Sequence, residues 1–476
     1  MDALFRAECC GIMGNAWVLA RIPCRTRLGL RHRAILCLFE VSWTVIGQAV
    51  SGWVRTNSNS HPSLEDSRLS RWSLYALTAF PLVDFALRMQ HIHPLGVIWD
   101  KVVMLVLVVL AVMRWADGYR QQPFHWQRYA GWFIVYALAL MFSGLSHPLT
   151  SLQGFRIDVY YILYAFLIPF VVGPKDVPKL LHAVALVMIL VAVHGVFQYV
   201  IKVPNPHSWQ DLGESLRTRV FSVMQSPNEL GSYMALATPF LFGLFLYETD
   251  RWRKAIYLFG IVFAVMTLFL TFTRGAWFAL AIAVLIMATL FERRLLIVLV
   301  VLGIAAFFLP AIHHRIADLF SPVYWIKSSQ SGRVYRWIMA YDKMSNNPLF
   351  GVGLGKFGGA VASQYSGGLY SDNYYAKTLG ETGLIGLTLF LIMHLALFAE
   401  IFRKTVRKAK GRVRFLVIGA ATGLLAVLIH NAMENVFEFA PMAITYFLIA
   451  TLLLVWGRGL PESFSGAEAE SGGAVS

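Results

Sequence analysis

The sequence predicts an all-α polytopic membrane protein, with about twelve transmembrane helices and one large, partly helical external loop. Three observations predict it. Hydrophobic residues make up 57% of the chain and charged residues only 14%, whereas soluble domains carry roughly a quarter charged residues. Apolar runs recur along the chain at about the 20-residue length that crosses a bilayer core. Lys and Arg collect in alternate connections between those runs, which is the charge bias of cytoplasmic loops. Helices fit because each crossing must satisfy its own backbone hydrogen bonds in lipid.

Candidate spans fall near 34–54, 72–89, 94–116, 128–148, 156–173, 178–201, 227–248, 254–273, 276–291, 293–312, 383–402, 413–433 and 440–457. The cluster Arg403, Lys404, Arg407, Lys408, Lys410, Arg412 and Arg414 is expected in the cytoplasm. Counting back, Arg293 with Arg294, then Arg251, Arg253 and Lys254, then Lys175 and Lys179 fall on the same side. The connections 202–226, the Arg274 turn, 313–375 and 434–439 then face outward. All thirteen candidates would put Arg21, Arg25, Arg27, Arg31 and Arg33 outside, so one early candidate is expected not to cross, or two to form one re-entrant pair. That leaves twelve spans with both termini inside. The expected organisation is a cytoplasmic segment 1–33, a transmembrane domain 34–457 with its large external loop 313–375, and a disordered cytoplasmic tail 458–476 rich in Gly, Ser, Ala and Glu. No cleavable signal peptide is expected.

The net charge of +15 is mostly this topological signal and argues for anionic lipid headgroups as partners rather than nucleic acid. The four cysteines, Cys9, Cys10, Cys24 and Cys37, match no metal-ligand spacing and read as packing residues. No metal and no cofactor are expected.

Against that background, positive charge on the outward side needs a reason. Arg217 and Arg219 precede Ser226-Pro227-Asn228-Glu229, Arg274 interrupts a long apolar region, and Arg315, Arg333 and Arg336 stand in the large loop with Asp372 and Asn373. Arg156 opens the span beginning Arg156-Ile157-Asp158. A guanidinium presents a planar fork of donors that matches phosphate oxygens two at a time, so an outward site for a lipid diphosphate is the economical reading. The competing one is that each arginine snorkels to headgroups or caps a helix end. His430 and Glu434, one turn apart near the outer end of a span, are a further pair of candidates, because ionisable groups at membrane depth are functional by default. His313 and His314 read as interfacial.

Three blocks together resemble the O-antigen ligase/polymerase family of lipid-linked glycan transferases. The first is Arg219-Val220-Phe221-Ser222 with Ser226-Pro227-Asn228-Glu229-Leu230-Gly231. The second is Leu270-Thr271-Phe272-Thr273-Arg274-Gly275-Ala276-Trp277. The third runs from Ser331-Gly332-Arg333 through Asn347-Pro348-Leu349-Phe350-Gly351-Val352-Gly353 to Leu379-Gly380-Glu381-Thr382-Gly383-Leu384-Ile385-Gly386. The resemblance covers roughly residues 150–440 and implies a GT-C-like fold in the bacterial cytoplasmic membrane, with the active site on the outer face. It implies transfer of a glycan from an undecaprenyl-diphosphate carrier to an acceptor hydroxyl without metal or nucleotide sugar. Carried over by motif, Arg219 and Arg274 are the leading diphosphate ligands. Arg156, Arg333 and Arg336 follow, with Asn228, Asn373, His430 and Glu434 as further substrate contacts.

One departure shapes the reading. The ligase branch typically carries a histidine nine residues before the glutamate of the last motif; counting back from Glu381 reaches Asp372. An aspartate there looks more like the chain-extending polymerases, and its carboxylate is the expected base toward the acceptor. A helix N-cap is the competing role for Asp372. The expected activity is therefore polymerase-like, extending a lipid-linked repeat unit. The nearest alternative is a ligase that moves finished glycan onto a lipid core or a protein. A transporter of anions or lipid-linked glycan is the alternative of another class, and no internal repeat supports it.

Overall fold

The computed structural model describes residues 67–89, 93–144, 146–204, 218–291, 320–330, 332–366 and 368–461, with isolated positions elsewhere. The described residues all belong to one unit, Trp53–Ser476. They are helical, with no strand; a single isolated bridge joins Gly358 to Tyr370.

The expected spans became helices with shifted ends. The run 72–89 is two short helices, α1 (Arg68–Thr78) and α2 (Phe80–Met89). There follow α3 (His93–Ala116), α4 (His125–Ser143), α5 (Pro148–Leu167), α6 (Val177–Val200), α7 (Pro227–Tyr247), α8 (Arg251–Leu270) and α9 (Arg274–Leu290). The large loop contributes α10 (Pro322–Gln330), α11 (Arg333–Ser345) and α12 (Ala360–Ser366), which agrees with its being partly helical. The chain closes with α13 (Tyr374–Ile401), α14 (Gly411–His430) and α15 (Ala440–Gly459). Among the described residues, seven helices are long and apolar enough to cross a membrane. The expected spans 34–54 and 293–312, and the basic N-terminal segment, lie outside the described residues.

The ends of these helices follow from local sequence. Ser226 caps α7 by accepting from the Glu229 amide at 3.2 Å, and the Glu229 carboxylate returns to the Gln225 amide at 3.2 Å. The return bond lands one residue before the cap, and Pro227 at the first helical position presets the first turn. Asp250 caps α8 through the amides of Trp252 and Arg253. The α7–α14 contact is unusually close because Gly419 and Gly423 sit four residues apart on α14. A Cβ on Gly419 would stand 2.3 Å from the Pro239 carbonyl oxygen, and one on Gly423 would stand 2.5 Å from that of Leu236. Small residues at this spacing let transmembrane backbones approach. The last helix, α15, is buried on nearly all sides and forms the centre of the bundle.

α13 is broken, and the break explains two of the motifs at once. Gly383 takes φ +65° and ψ −166° inside the helix, which frees backbone groups on both sides. The 347–353 segment fills the gap: Val352 and Gly353 donate to the carbonyls of Gly380 and Glu381 at 2.9 Å each, and Leu384 donates to the Pro348 carbonyl at 2.8 Å. The Tyr136 hydroxyl bridges the junction, donating to the carbonyls of Thr382 and Leu349. Asn347–Gly353 and Gly380–Gly386 are thus two halves of one structural unit. The turn between α13 and α14, with its Arg and Lys cluster, lies at the opposite end of both helices from Tyr374 and His430.

Candidate functional site

At the Tyr374/His430 end, the three blocks converge. Arg219 donates from Nε to the Thr271 carbonyl at 3.0 Å, and the neighbouring Val220 amide reaches the Leu270 carbonyl. Its Nη2 donates to Asn228 Oδ1 at 3.2 Å. Thr273 Oγ1 meets the same Asn228 oxygen at 3.2 Å. The first block is therefore fastened to the second by paired backbone and side-chain bonds. The glycines of both blocks permit this contact. A Cβ on Gly231 would stand 3.0 Å from Thr273 Cβ, and one on Gly275 would stand 2.9 Å from His430 Nε2.

Two carboxylates stand beside these blocks, Glu434 beyond α14 and Asp372 in the third block. Asn228 Nδ2 donates to Glu434 Oε2 at 2.5 Å. Asp372 accepts from Arg336 Nη1 at 2.7 Å and from Arg333 Nε at 3.4 Å, both on Oδ2. Arg274 lies over the Tyr324 ring, with the guanidinium carbon 5.4 Å from its centroid, a cation–π geometry. Arg336 Nε, Tyr370 Oη, His430 Nδ1 and Asn431 Oδ1 are buried without a hydrogen-bond partner among the described residues.

The electrostatics follow from this crowding. Burial pushes the Glu434 carboxyl up, and the Asp372 charge pushes the same way. The Arg333 charge and bonds from the Asn435 amide and Asn228 oppose them, leaving it at about 7. Burial works against the Arg333 charge, but Asp372 and Glu434 outweigh it and hold its proton more firmly than usual. Arg333 and Arg336 meet Asp372 directly, and the Arg333 charge also acts on Glu434.

Backbone strain marks each block. Ser222 (φ +50°), Phe272 (φ +52°) and Asp372 (φ +49°) are non-glycine residues in the left-handed region, where each costs about 1–2 kcal/mol. Such outliers cluster at ligand clamps and active sites.

The structure corrects several expectations. Asp372 is not the N-cap of α13. Asn373 is, accepting from the amides of Tyr375 and Ala376 at 3.0 and 3.1 Å, which leaves the Asp372 carboxylate to the arginines. Glu434 is not on a helix with His430, because α14 ends at His430 and Glu434 stands in the turn beyond. Arg156 does not open its helix: α5 starts at Pro148, about two turns earlier, and Arg156 does not join the hydrogen-bonded set around Asp372. Arg217, His313, His314 and Arg315 lie outside the described residues.

Sequence reasoning missed a second cluster beside the first. Lys377 Nζ lies 2.5 Å from Asp158 Oδ1, 3.2 Å from Glu438 Oε1 and 3.5 Å from Glu381 Oε2, with its side chain only 3% exposed. The Tyr374 hydroxyl donates to the same Asp158 oxygen at 2.8 Å. The i, i+4 spacing of Lys377 and Glu381 was the one sequence signal available, and it is indistinguishable from a surface pair.

Residues 259–391 match the family model described as O-antigen ligase. That match supports the O-antigen ligase/polymerase family. No curated protein matches the chain. The matched stretch holds Arg274, Arg333, Arg336, Asp372 and Asn373, while Arg219, Asn228, His430 and Glu434 lie outside it. With seven apolar helices of spanning length, this is a multi-pass membrane protein, and the family supports a membrane glycan transferase handling lipid-linked glycans.

Proposed function

We propose that this protein moves a glycan from an undecaprenyl-diphosphate carrier to a sugar hydroxyl of another lipid-linked repeat unit, on the outer face of the bacterial cytoplasmic membrane. The single observation that carries the reading is the pairing of Arg333 and Arg336 on Asp372, with Arg219 joined through Asn228 to Glu434 and Arg274 over Tyr324 beside them. In such a transfer the acceptor oxygen attacks the anomeric carbon and forms the new glycosidic bond. The bond from that carbon to the diphosphate breaks, and the electron pair leaves with the phosphate. Fixed guanidinium charge stabilises the leaving group as its charge grows. The acceptor proton goes to Asp372.

Asp372 is shared by two arginines before the donor arrives. A diphosphate offers those guanidiniums several oxygens in place of one carboxylate oxygen, so donor binding draws them off and leaves Asp372 a stronger base. The outward placement rests on the basic turn between α13 and α14, which sits at the far end of both helices from the site.

The polymerase reading, rather than the ligase one, rests on Asp372 standing where the ligases carry histidine. Purified protein incubated with lipid-linked repeat units is expected to produce a ladder of longer glycans. A glycan moved intact onto a lipid core or protein, with chain length unchanged, would assign it to the ligases. No transfer to any of these acceptors would overturn the proposal.

A further inference from the structure

The Lys377 cluster is large, charged and fully enclosed, and the transfer chemistry above makes no use of it. Burying four ionisable side chains is costly, and apolar residues of similar volume often serve stability as well or better. Its carboxylates have second partners that point to another role. Glu381 Oε1 accepts from the Phe357 amide at 3.2 Å, and Glu438 Oε2 accepts from the Ala360 amide at 3.0 Å. The cluster therefore grips the glycine-rich segment 351–360 from two sides. From Glu438 the connection continues to Asn435, whose Nδ2 lies 3.5 Å from Glu438 Oε2 and donates to the Gly358 carbonyl at 2.7 Å. Asn435 Oδ1 then accepts from Ser371 Oγ and from the Asn373 amide, at 3.1 Å each. The Ser371 amide donates to that same Gly358 carbonyl at 2.8 Å.

Ser371 and Asn373 are the two neighbours of Asp372. Both are tied to Asn435 or Gly358, and Asp372 between them holds a left-handed φ of +49°. A strained residue persists only where its surroundings over-determine it. We infer that Lys377, Glu438 and Asn435 are positioning residues that hold Asp372 in its strained conformation, with its carboxylate turned to Arg333 and Arg336. Asn435 also donates its backbone amide to Glu434 Oε1 at 3.1 Å, so one residue sets both site carboxylates. The buried lysine fixes Glu438, Glu438 and Gly358 fix the Asn435 amide, and that amide fixes the backbone on either side of Asp372.

Two variants and two readouts test this. Asn435→Ala removes the nearer acceptor for the Asn373 amide, leaving Ser371 Oγ at 3.4 Å, so hydrogen exchange at that amide is expected to quicken up to ~10-fold, the loss of about one hydrogen bond. Glu438→Gln keeps the shape but removes the charge facing Lys377, and is expected to quicken the same amide by a smaller factor. In glycan transfer, both are expected to lower kcat ~10-fold or more with the KM for the donor unchanged, since the donor is held by the arginines. Should Asn435→Ala not fold, the isosteric Glu438→Gln decides alone. Wild-type exchange at Asn373 together with wild-type kcat in Glu438→Gln would overturn the inference. The activity arm rests on the proposed transfer and the exchange arm does not. Faster exchange with no transfer activity even in the wild type would sink the transfer reading and leave the inference standing.

Discussion

Asn228 donates to Glu434 across 206 residues of sequence, at 2.5 Å, and the same Asn228 side chain accepts from Arg219. One amide thus presents its oxygen to an arginine of the first block and its nitrogen to a carboxylate beyond α14. Asn228→Asp would replace the donor with a charge facing Glu434. It is expected to lower transfer about 100-fold in protein that still purifies folded, whereas Asn228→Gln, with the same two functions on a longer arm, keeps more of the rate. Steady-state transfer assays on both variants check the order.

Glu434 gives a stability prediction whose sign is fixed. Its carboxyl stands at about 7 in the folded protein, above the ordinary value of 4.5. A raised carboxyl favours the folded state while protonated, so its contribution is full below the unfolded value and is lost as pH rises through about 7. Thermal stability followed from pH 4.5 to 8 is expected to fall more steeply in the wild type than in Glu434→Gln, by up to about one proton's worth of slope. Parallel curves would remove Glu434 from this role.

Asp372→Asn separates binding from chemistry. The amide no longer competes for Arg333 and Arg336 as a charge, so donor affinity is expected to match or exceed that of the wild type. Transfer is expected to fall about 10²–10⁴-fold, the usual contribution of a general base. Donor binding measured by calorimetry beside single-turnover transfer shows whether the two part in this way.

The broken helix is tested by two glycines that both take positive φ in different surroundings. Gly383 takes φ +65°, and a Cβ there would stand 2.5 Å from Leu349 backbone atoms. Gly353 takes φ +99°, with nothing nearer than 3.5 Å. Alanine at Gly353 is expected to cost only the conformational term of about 1–2 kcal/mol. Alanine at Gly383 must also push the 347–353 segment out of the break, and is expected to cost about 2–3 kcal/mol more. Denaturation midpoints in detergent compare them.

Much of this was legible in the sequence, and the exceptions have physical causes. Apolar runs of spanning length announced α3, α6, α7, α8, α14 and α15, because lipid leaves a helix few alternatives. The arginines stood out because they broke the inside-positive bias; Arg333 and Arg336 meet on Asp372, and Arg219 is tied through Asn228 to Glu434. What sequence could not show was pairing across distance. Lys377 reaches Asp158 over 219 positions, a separation at which no periodicity exists. The capping role also went to the wrong neighbour. Asp372 and Asn373 are both good caps by residue type, and only the left-handed turn at Asp372 decides that Asn373 faces the helix amides. The expected span 383–402 begins at the kink; what hydropathy did not register is that the helix continues back through Gly383 to Tyr374.

The central claim is that arginines from separate blocks hold a diphosphate by the forked geometry of the guanidinium. Arg274 tests it most directly, because it sits at the tip of α9 over Tyr324 and Lys keeps its charge while losing the fork. The measurement is the transfer rate from a lipid-diphosphate-linked glycan by Arg274→Lys and Arg274→Ala, in protein matched for folding. Both variants are expected to fall about 100-fold or more, with Lys close to Ala. A wild-type rate in both would contradict the account.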